Sequence, residues 1–315
     1  MAVPSFFLLI SILSALLMPL SGLQNVSSST CMPAPPADRL PVYPSDLPRI
    51  QFALNLEHLE AAFFCYGALG HGLDVLAPEL VMGGPPSIGA MKANLNPLVE
   101  DIIEQFCYQE IAHIRVITET VGPFPRPLMD LSVKNFAHIT NVALGRELNP
   151  PFDPYANTVN FLIATYWLPY MGLTAYVGTD PNLLGYWSHR LVSGLLGVEA
   201  GQDAIDRGLL YQMKEEKVEP YNITVAEFTN HISILRNCLG GCGIKDEGLI
   251  VPLELGSENK TCGNILSADV NSLSYARTAA ETLRVIYSTG DEHVPGGFLP
   301  KGGNGEIARS YLHHH

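Results

Sequence analysis

Glu110 and His113 sit three residues apart among apolar positions, Val99, Ile103, Phe106 and Ile117, that step along the chain by four and three. That period puts all six side chains on one face of a helix. Four of them are apolar and seek a core, so the carboxylate and the imidazole are carried into it. An ionised carboxylate in such a place is costly unless it is paired, hydrogen-bonded or bound to a metal. A Glu-x-x-His pair on an inward helix face is what di-metal four-helix bundles use to hold their ions. The motif is short enough to arise by chance, so its weight depends on its helix and on partners elsewhere.

Two other stretches offer partners. Ile50, Leu54, Glu57, Ala61, Phe64 and Ala68 repeat the same stepping, in a helix apolar almost all round and therefore buried on most faces. Glu60 lies one turn beyond Glu57, either inward beside it or at an edge facing solvent or a cation. Farther on, Val192, Leu195, Glu199, Gln202, Asp206 and Leu209 share a face. Gln202 stands where a second His would complete the pattern. Its amide offers a neutral oxygen, a weaker ligand than imidazole, and can equally hydrogen-bond Glu199 or Glu110. Carboxylate oxygens with one imidazole suit iron or manganese rather than the metals that favour thiolates. Such a centre is suited to binding oxygen or peroxide and oxidising metal or substrate.

Four long helices must position these groups. The patterning predicts them over about 47–73, 97–121, 155–177 and from beyond Asp180-Pro181 to about 215. Asn96 followed by Pro97 marks the second start, and Gly122-Pro123 its end. A shorter amphipathic helix is expected at about 130–144, before an irregular crossover through Asn149-Pro150-Pro151. The third helix is rich in rings and has no Asp or Glu. A fifth is expected at 224–239, with Thr224 and Glu227 as a capping box and Gly240-Gly241 as its stop. Apart from a helix at 278–288, the rest is Gly-rich and irregular. No Gly-rich phosphate loop follows a strand, and no Gly-x-Ser-x-Gly elbow occurs.

The chain has 315 residues, 47% hydrophobic, with a formal charge of −13. That length suffices for one large core plus a smaller unit. The acidity argues against a sequence-independent grip on nucleic acid or an anionic membrane. Residues 6–20 are apolar and are followed by small Ser21 and Gly22, as in a cleaved secretory signal. No Lys or Arg precedes Arg39, so the amino terminus alone supplies the positive end. The apolar run falls short of the ~20 residues that cross a bilayer, and no later stretch makes a stable membrane span. Sequons at Asn25, Asn222 and Asn259 suit a secreted glycoprotein of the extracellular space or cell wall. Six cysteines in such a chain favour disulfides, and Cys238, Cys242 and Cys262 lie close enough in sequence for a local staple. Cys238 and Cys242 have no nearby His/Cys pair with which to hold zinc. His313, His314 and His315 read as a tag remnant outside any metal argument. The expected organisation is a signal peptide (1–23), a Ser/Pro-rich linker (24–46), a bundle (47–216) and an extension (217–312).

Longer strings carry a family resemblance. They include Leu54-Asn55-Leu56-Glu57-His58-Leu59-Glu60, Gly83-Gly84-Pro85-Pro86-Ser87-Ile88-Gly89 and Asn149-Pro150-Pro151-Phe152-Asp153-Pro154. Gly197-Val198-Glu199-Ala200-Gly201-Gln202-Asp203-Ala204 and the late Val294-Pro295-Gly296-Gly297-Phe298 belong with them. In these the sequence resembles the plant desiccation-related proteins, a secreted branch with a ferritin-like domain, over about 48–312. The resemblance implies a first-helix ligand at Glu57, a second-helix pair at Glu110 and His113, and a fourth-helix pair at Glu199 and Gln202. The third-helix Glu of the full di-iron pattern has no counterpart.

The expected fold is all-α: a ferritin-like antiparallel four-helix bundle with a long crossover and a C-terminal helical and irregular extension. Glu57, Glu60, Glu110, His113, Glu199 and Gln202 are the candidate ligands for iron or manganese. The expected function is that of a secreted, metal-binding, desiccation-related protein with oxidase or peroxide-handling activity. Two alternatives stand beside it. One is a metal-free binding or stress-protective protein whose buried polar groups pair only with each other. The other is a bundle whose core takes a small metabolite. Nothing in the sequence sets an oligomeric state.

Overall fold

The computed structural model describes residues 42–245 and 248–312. The expected signal segment, most of the linker, Asn25, Cys31 and the final three His residues lie outside the described residues.

The first arm is made by α1 (Leu47–Phe52) and α2 (Leu54–Leu69), with Ala53 between them still in right-handed helical conformation. The arm stops four residues before the expected end. Gly70 takes φ 79°, a left-handed angle that ends helices and favours glycine. A single turn, α3 (Leu73–Leu76), follows. The second long helix, α4 (Pro97–Val121), has the expected bounds, and the Asn96 side chain accepts from Val99 N at 2.9 Å. The amphipathic α5 (Val133–Leu144) starts later than expected, where Ser132 caps it.

The third long helix is two: α6 (Thr158–Thr165) and α7 (Pro169–Thr179). Pro169 has no N–H to give, and its ring conflicts with the carbonyl four residues back, so the chain tightens through 166–168 and restarts. The fourth, α8 (Tyr186–Gln212), follows a 3-10 turn at Asp180–Asn182. Asp46, expected at the end of a linker, is fully buried, and its carboxylate accepts from Leu184 N and Gly185 N at the start of α8. That satisfies amides a helix start leaves open.

Helix directions follow from cross-links. Cys65 of α2 is bonded to Cys107 of α4, and Glu57 pairs with His113, so α2 and α4 run antiparallel. Gly172 of α7 abuts Glu199, while Tyr166 just before α7 bonds Arg207, so α7 and α8 are antiparallel too. Asn96 N donates to Thr158 Oγ1 at 2.8 Å, which joins the starts of α4 and α6 across the crossover. Phe63 stacks on Phe161 at 4.5 Å. A β-carbon at Gly67 would come within 2.3 Å of that Phe161 ring, so α2 and α6 meet this closely only over glycine.

The extension packs back on the bundle. A hairpin, β1 (Lys217–Val218) and β2 (Ile223–Thr224), leads into α9 (Val225–Gly240), which has the expected Thr224/Glu227 capping box. Arg236 of α9 lies over the rings of Tyr166 and Tyr170, at 4.6 and 4.9 Å. Then come α10 (Ala279–Ile286) and an unanticipated α11 (Gly305–Leu312), which packs on α1. The local staple does not form: Cys238, Cys242 and Cys262 are exposed free thiols. The disulfide instead joins Cys65 and Cys107, whose Cα atoms on facing helices are 4.7 Å apart, within disulfide reach.

Candidate metal centre

The helix face expected in α4 is buried throughout, from Val99 to Ile117, and Glu110 and His113 go in with it. Glu57 and Glu60 of α2 and Glu199 and Gln202 of α8 are buried as well. Glu60 is only 1% exposed, which excludes the edge position. One ligand atom each from Glu57, Glu110, His113 and Glu199 can be chosen so that all lie within 4.8 Å of one another. His113 Nδ1 is the hub, 3.0 Å from Glu57 Oε2, 3.3 Å from Glu110 Oε2 and 3.7 Å from Glu199 Oε1. The last distance is too long for a hydrogen bond.

Neighbours fix the remaining groups. Gln202 Nε2 donates to Glu110 Oε1 at 2.5 Å and to Gln109 Oε1 at 3.1 Å. The Tyr176 hydroxyl donates to Glu57 Oε1. Even so, Glu60 Oε2, Gln202 Oε1 and both oxygens of Glu199 are buried with no hydrogen-bond partner. Orphaned carboxylate oxygens in a dry core are what a bound cation relieves. The donor set is oxygen with one imidazole nitrogen, which fits a hard or borderline divalent ion such as iron or manganese.

Without a cation, protons share the work. Burial pushes the carboxyls of Glu60 and Glu110 well above the usual range, and the charge of Glu199 adds to it. Burial lifts Glu199 to about 7 against the pull of His113. Glu57 goes the other way: burial opposes its charge, but the His113 imidazolium outweighs burial and holds the carboxyl low. Burial likewise opposes charge on His113, and the surrounding carboxylates, Glu57 first, overcome it and keep the ring protonated far above its ordinary value. A proton on Nδ1 amid three carboxyls takes the part a cation would play.

All six candidate ligands are thus buried in the bundle, with four of them brought to one point. Sequence reasoning missed what α7 contributes. Gly172 leaves room against Glu60 and Glu199, and Tyr176 holds Glu57. The signal was there in principle, since a helix without acids faced three that carry them, but core rings rarely announce a polar partner. A second cluster, Asp291, Glu292 and His293, is more exposed. Glu292 is clamped by Arg284 at 2.5 and 2.8 Å, so that cluster already has its cation.

An all-α bundle with carboxylates and a histidine meeting between its long helices is the architecture of ferritin-like proteins. A family model described as ferritin-like domain matches residues 45–212, and the chain belongs to that family. It is 56% identical over 286 residues to the "Ferritin-like catalase Nec2" of Nesocodon mauritianus, covering 91% of this chain and 92% of that one. It is 55% identical over 262 residues to the "Desiccation-related protein PCC13-62" of Craterostigma plantagineum, covering 83% of this chain and 84% of that one. No solved structure gives a significant match.

Proposed function

We propose that this chain is an exported, ferritin-like metalloprotein that holds iron or manganese between Glu57, Glu110, His113 and Glu199 and disproportionates hydrogen peroxide. One observation carries the metal assignment: buried ligand atoms from three helices converge, and the oxygens of Glu199 have no hydrogen-bond partner. A relative named as a catalase supports peroxide as the substrate, and one named for desiccation supports a role during water loss. Bound there, iron or manganese supplies reversible electron transfer to peroxide.

The protein's own groups do the rest. Tyr176 ties down one oxygen of Glu57 and leaves Oε2 turned to the centre. Gln202 steadies Glu110 from α8. Glu57, Glu110, His113 and Glu199 are all buried, which keeps bulk water away and strengthens each charge interaction inside.

Export is supported by the apolar start of the chain, by the Cys65–Cys107 disulfide, and by exposed sequons. Asn222 sits in the β1–β2 turn and Asn259 in a 3-10 turn, and both are exposed. No helix of the described residues is long and apolar enough to cross a membrane.

The metal-free reading draws on the Gln202–Glu110 and Tyr176–Glu57 hydrogen bonds and on the His113 imidazolium, but it leaves Glu60 Oε2 and both oxygens of Glu199 without a hydrogen-bond donor. The test is oxygen evolution from hydrogen peroxide by metal-loaded protein expressed through a plant secretory pathway. The expected result is turnover well above that of free metal, absent in Glu199→Ala, with a mass decrease on enzymatic deglycosylation. Metal-loaded protein that evolves no oxygen overturns the catalase reading, and protein retained in the cytosol overturns export.

A further inference from the structure

We infer that the pocket between the starts of α4 and α6 and the β1–β2 hairpin is the seat for the first sugars of an N-linked glycan on Asn222. This rests on the export reading above. The pocket has a volume of about 500 Å³, within the range of about 300–1,000 Å³ that small-molecule sites occupy. Leu95, just before α4, lines one side, and Thr158, Val159 and Asn160 at the start of α6 line another. Lys217 and Glu219 line it from the hairpin. Its chemistry is that of a site for a polyhydroxylated ligand. Asn160 is only 4% exposed; its amide nitrogen donates to the Asp153 carbonyl at 2.9 Å, but its Oδ1 has no hydrogen-bond partner. A buried carbonyl oxygen in that state calls for a donor. Thr158 Oγ1 accepts from Asn96 N at 2.8 Å, so its own O–H is the group that remains to donate. An inorganic anion would meet two acceptors, the Glu219 carboxylate and Asn160 Oδ1. Sugar hydroxyls donate as well as accept and so suit both kinds of group. Leu95 and Val159 offer apolar surface to the C–H face of a ring or to an acetamido methyl.

Asn222 determines which sugar arrives. It opens the sequon Asn222-Ile223-Thr224, it is exposed, and its Oδ1 accepts from Lys217 Nζ. The side chain that carries the glycan is therefore held against a residue of the pocket wall. A tethered sugar meets its site at high effective concentration, so a few weak contacts suffice to seat it. Once seated, it ties the hairpin of the C-terminal extension to the starts of two bundle helices. Those helices are already joined to each other there by the Asn96–Thr158 hydrogen bond, so the sugar adds the third member.

Enzymatic glycan release from native, full-length secreted protein tests this, followed at Asn222 by peptide mass spectrometry. A seated first sugar shields its bond to Asn222. Asn94→Trp fills the pocket from an exposed position on its lining and leaves the sequon intact. Release from Asn222 is expected to be roughly tenfold slower in the parent than in Asn94→Trp, which corresponds to a seated state favoured by about 1.4 kcal/mol. Hydrogen exchange gives a second readout should Asn94→Trp fail to fold. Amides of residues 94–96 and 157–160 are expected to exchange more slowly in the glycosylated parent than in Asn222→Gln, and Asn259→Gln is expected to leave them unchanged. Asn222→Gln is chosen over a change at Thr224, which caps α9. Equal release rates in parent and Asn94→Trp, or exchange indifferent to Asn222→Gln, overturn the inference and leave export standing. Secreted protein with no glycan on Asn222 does the same. Protein retained in the cytosol overturns the export reading and this inference with it.

Discussion

His113 Nδ1 on α4 lies 3.0 Å from Glu57 Oε2 on α2, and the pair joins the two most extensively packed helices at a point closed to solvent. In metal-free protein this contact is the main compensation for an ionised Glu57. Removing one partner of a buried ion pair strands the other, at a cost of about 3–5 kcal/mol. His113→Ala should destabilise the metal-free protein by that order. The double variant Glu57→Gln/His113→Ala should cost much less than the two single changes added together. Chemical denaturation in the presence of a chelator measures this, and additive losses would show that the pair is not coupled.

Loading the centre must displace protons. Glu60 and Glu110 are held protonated well above the usual carboxyl range, Glu199 titrates near 7, and His113 holds its proton to high pH. Each ligates only after losing that proton, so metal affinity rises with pH and weakens as pH falls through the neutral range. Calorimetric titration with manganese(II) in two buffers of different ionisation enthalpy should reveal net proton release. Heats independent of the buffer would contradict the assigned protonation states.

His58 gives an acid-stability prediction. Burial, followed by the positive charge of Arg126, depresses the imidazole to about 3, while Glu57 acts the other way. An unfolded His titrates near ~6.5. Between those values the unfolded chain binds a proton that the folded chain refuses, so stability falls as pH drops through this window. The slope from this group is about 1.4 kcal/mol per pH unit. Replacing it by His58→Gln should flatten the fall between about pH 6 and about pH 4 by that amount. An unaltered slope in urea melts across this range would show that other groups set it.

The Cys65–Cys107 bond closes a loop with a sequence separation of 42 and lies in the core between α2 and α4. The chain-entropy account gives about 4 kcal/mol for such a loop. Cys65→Ala/Cys107→Ala should lose stability of that order, with a smaller part from vacated core volume. Equal melting temperatures for the variant and parent would mean that helix packing alone fixes this junction.

Much of the site was legible before any coordinates, because a helix face is a strong constraint. Val99, Ile103, Phe106 and Ile117 require burial, and Glu110 and His113 share their angle, so the inward direction followed. Caps were legible for the same local reason: Asn96 with Pro97, and Thr224 with Glu227, act within one turn. What escaped depends on distant parts of the chain. The Cys65–Cys107 pairing follows from helix register, and sequence proximity favoured the wrong cysteines. Pro169 divides the third arm although its hydrophobic pattern continues unbroken. Tyr176 and Gly172 look like ordinary core residues until α2 and α8 are placed against them. Asp46 follows a Pro-rich stretch, and only the start of α8 shows why an acid is buried there.

The most direct test of the central claim is the metal content of wild-type protein beside Glu110→Ala/His113→Ala, both loaded with manganese(II) or iron(II), freed of loose ions identically and verified as folded by circular dichroism. The account predicts stoichiometric metal in the wild-type chain and only background in the variant. Equal metal content in the two proteins, at any level, would contradict it.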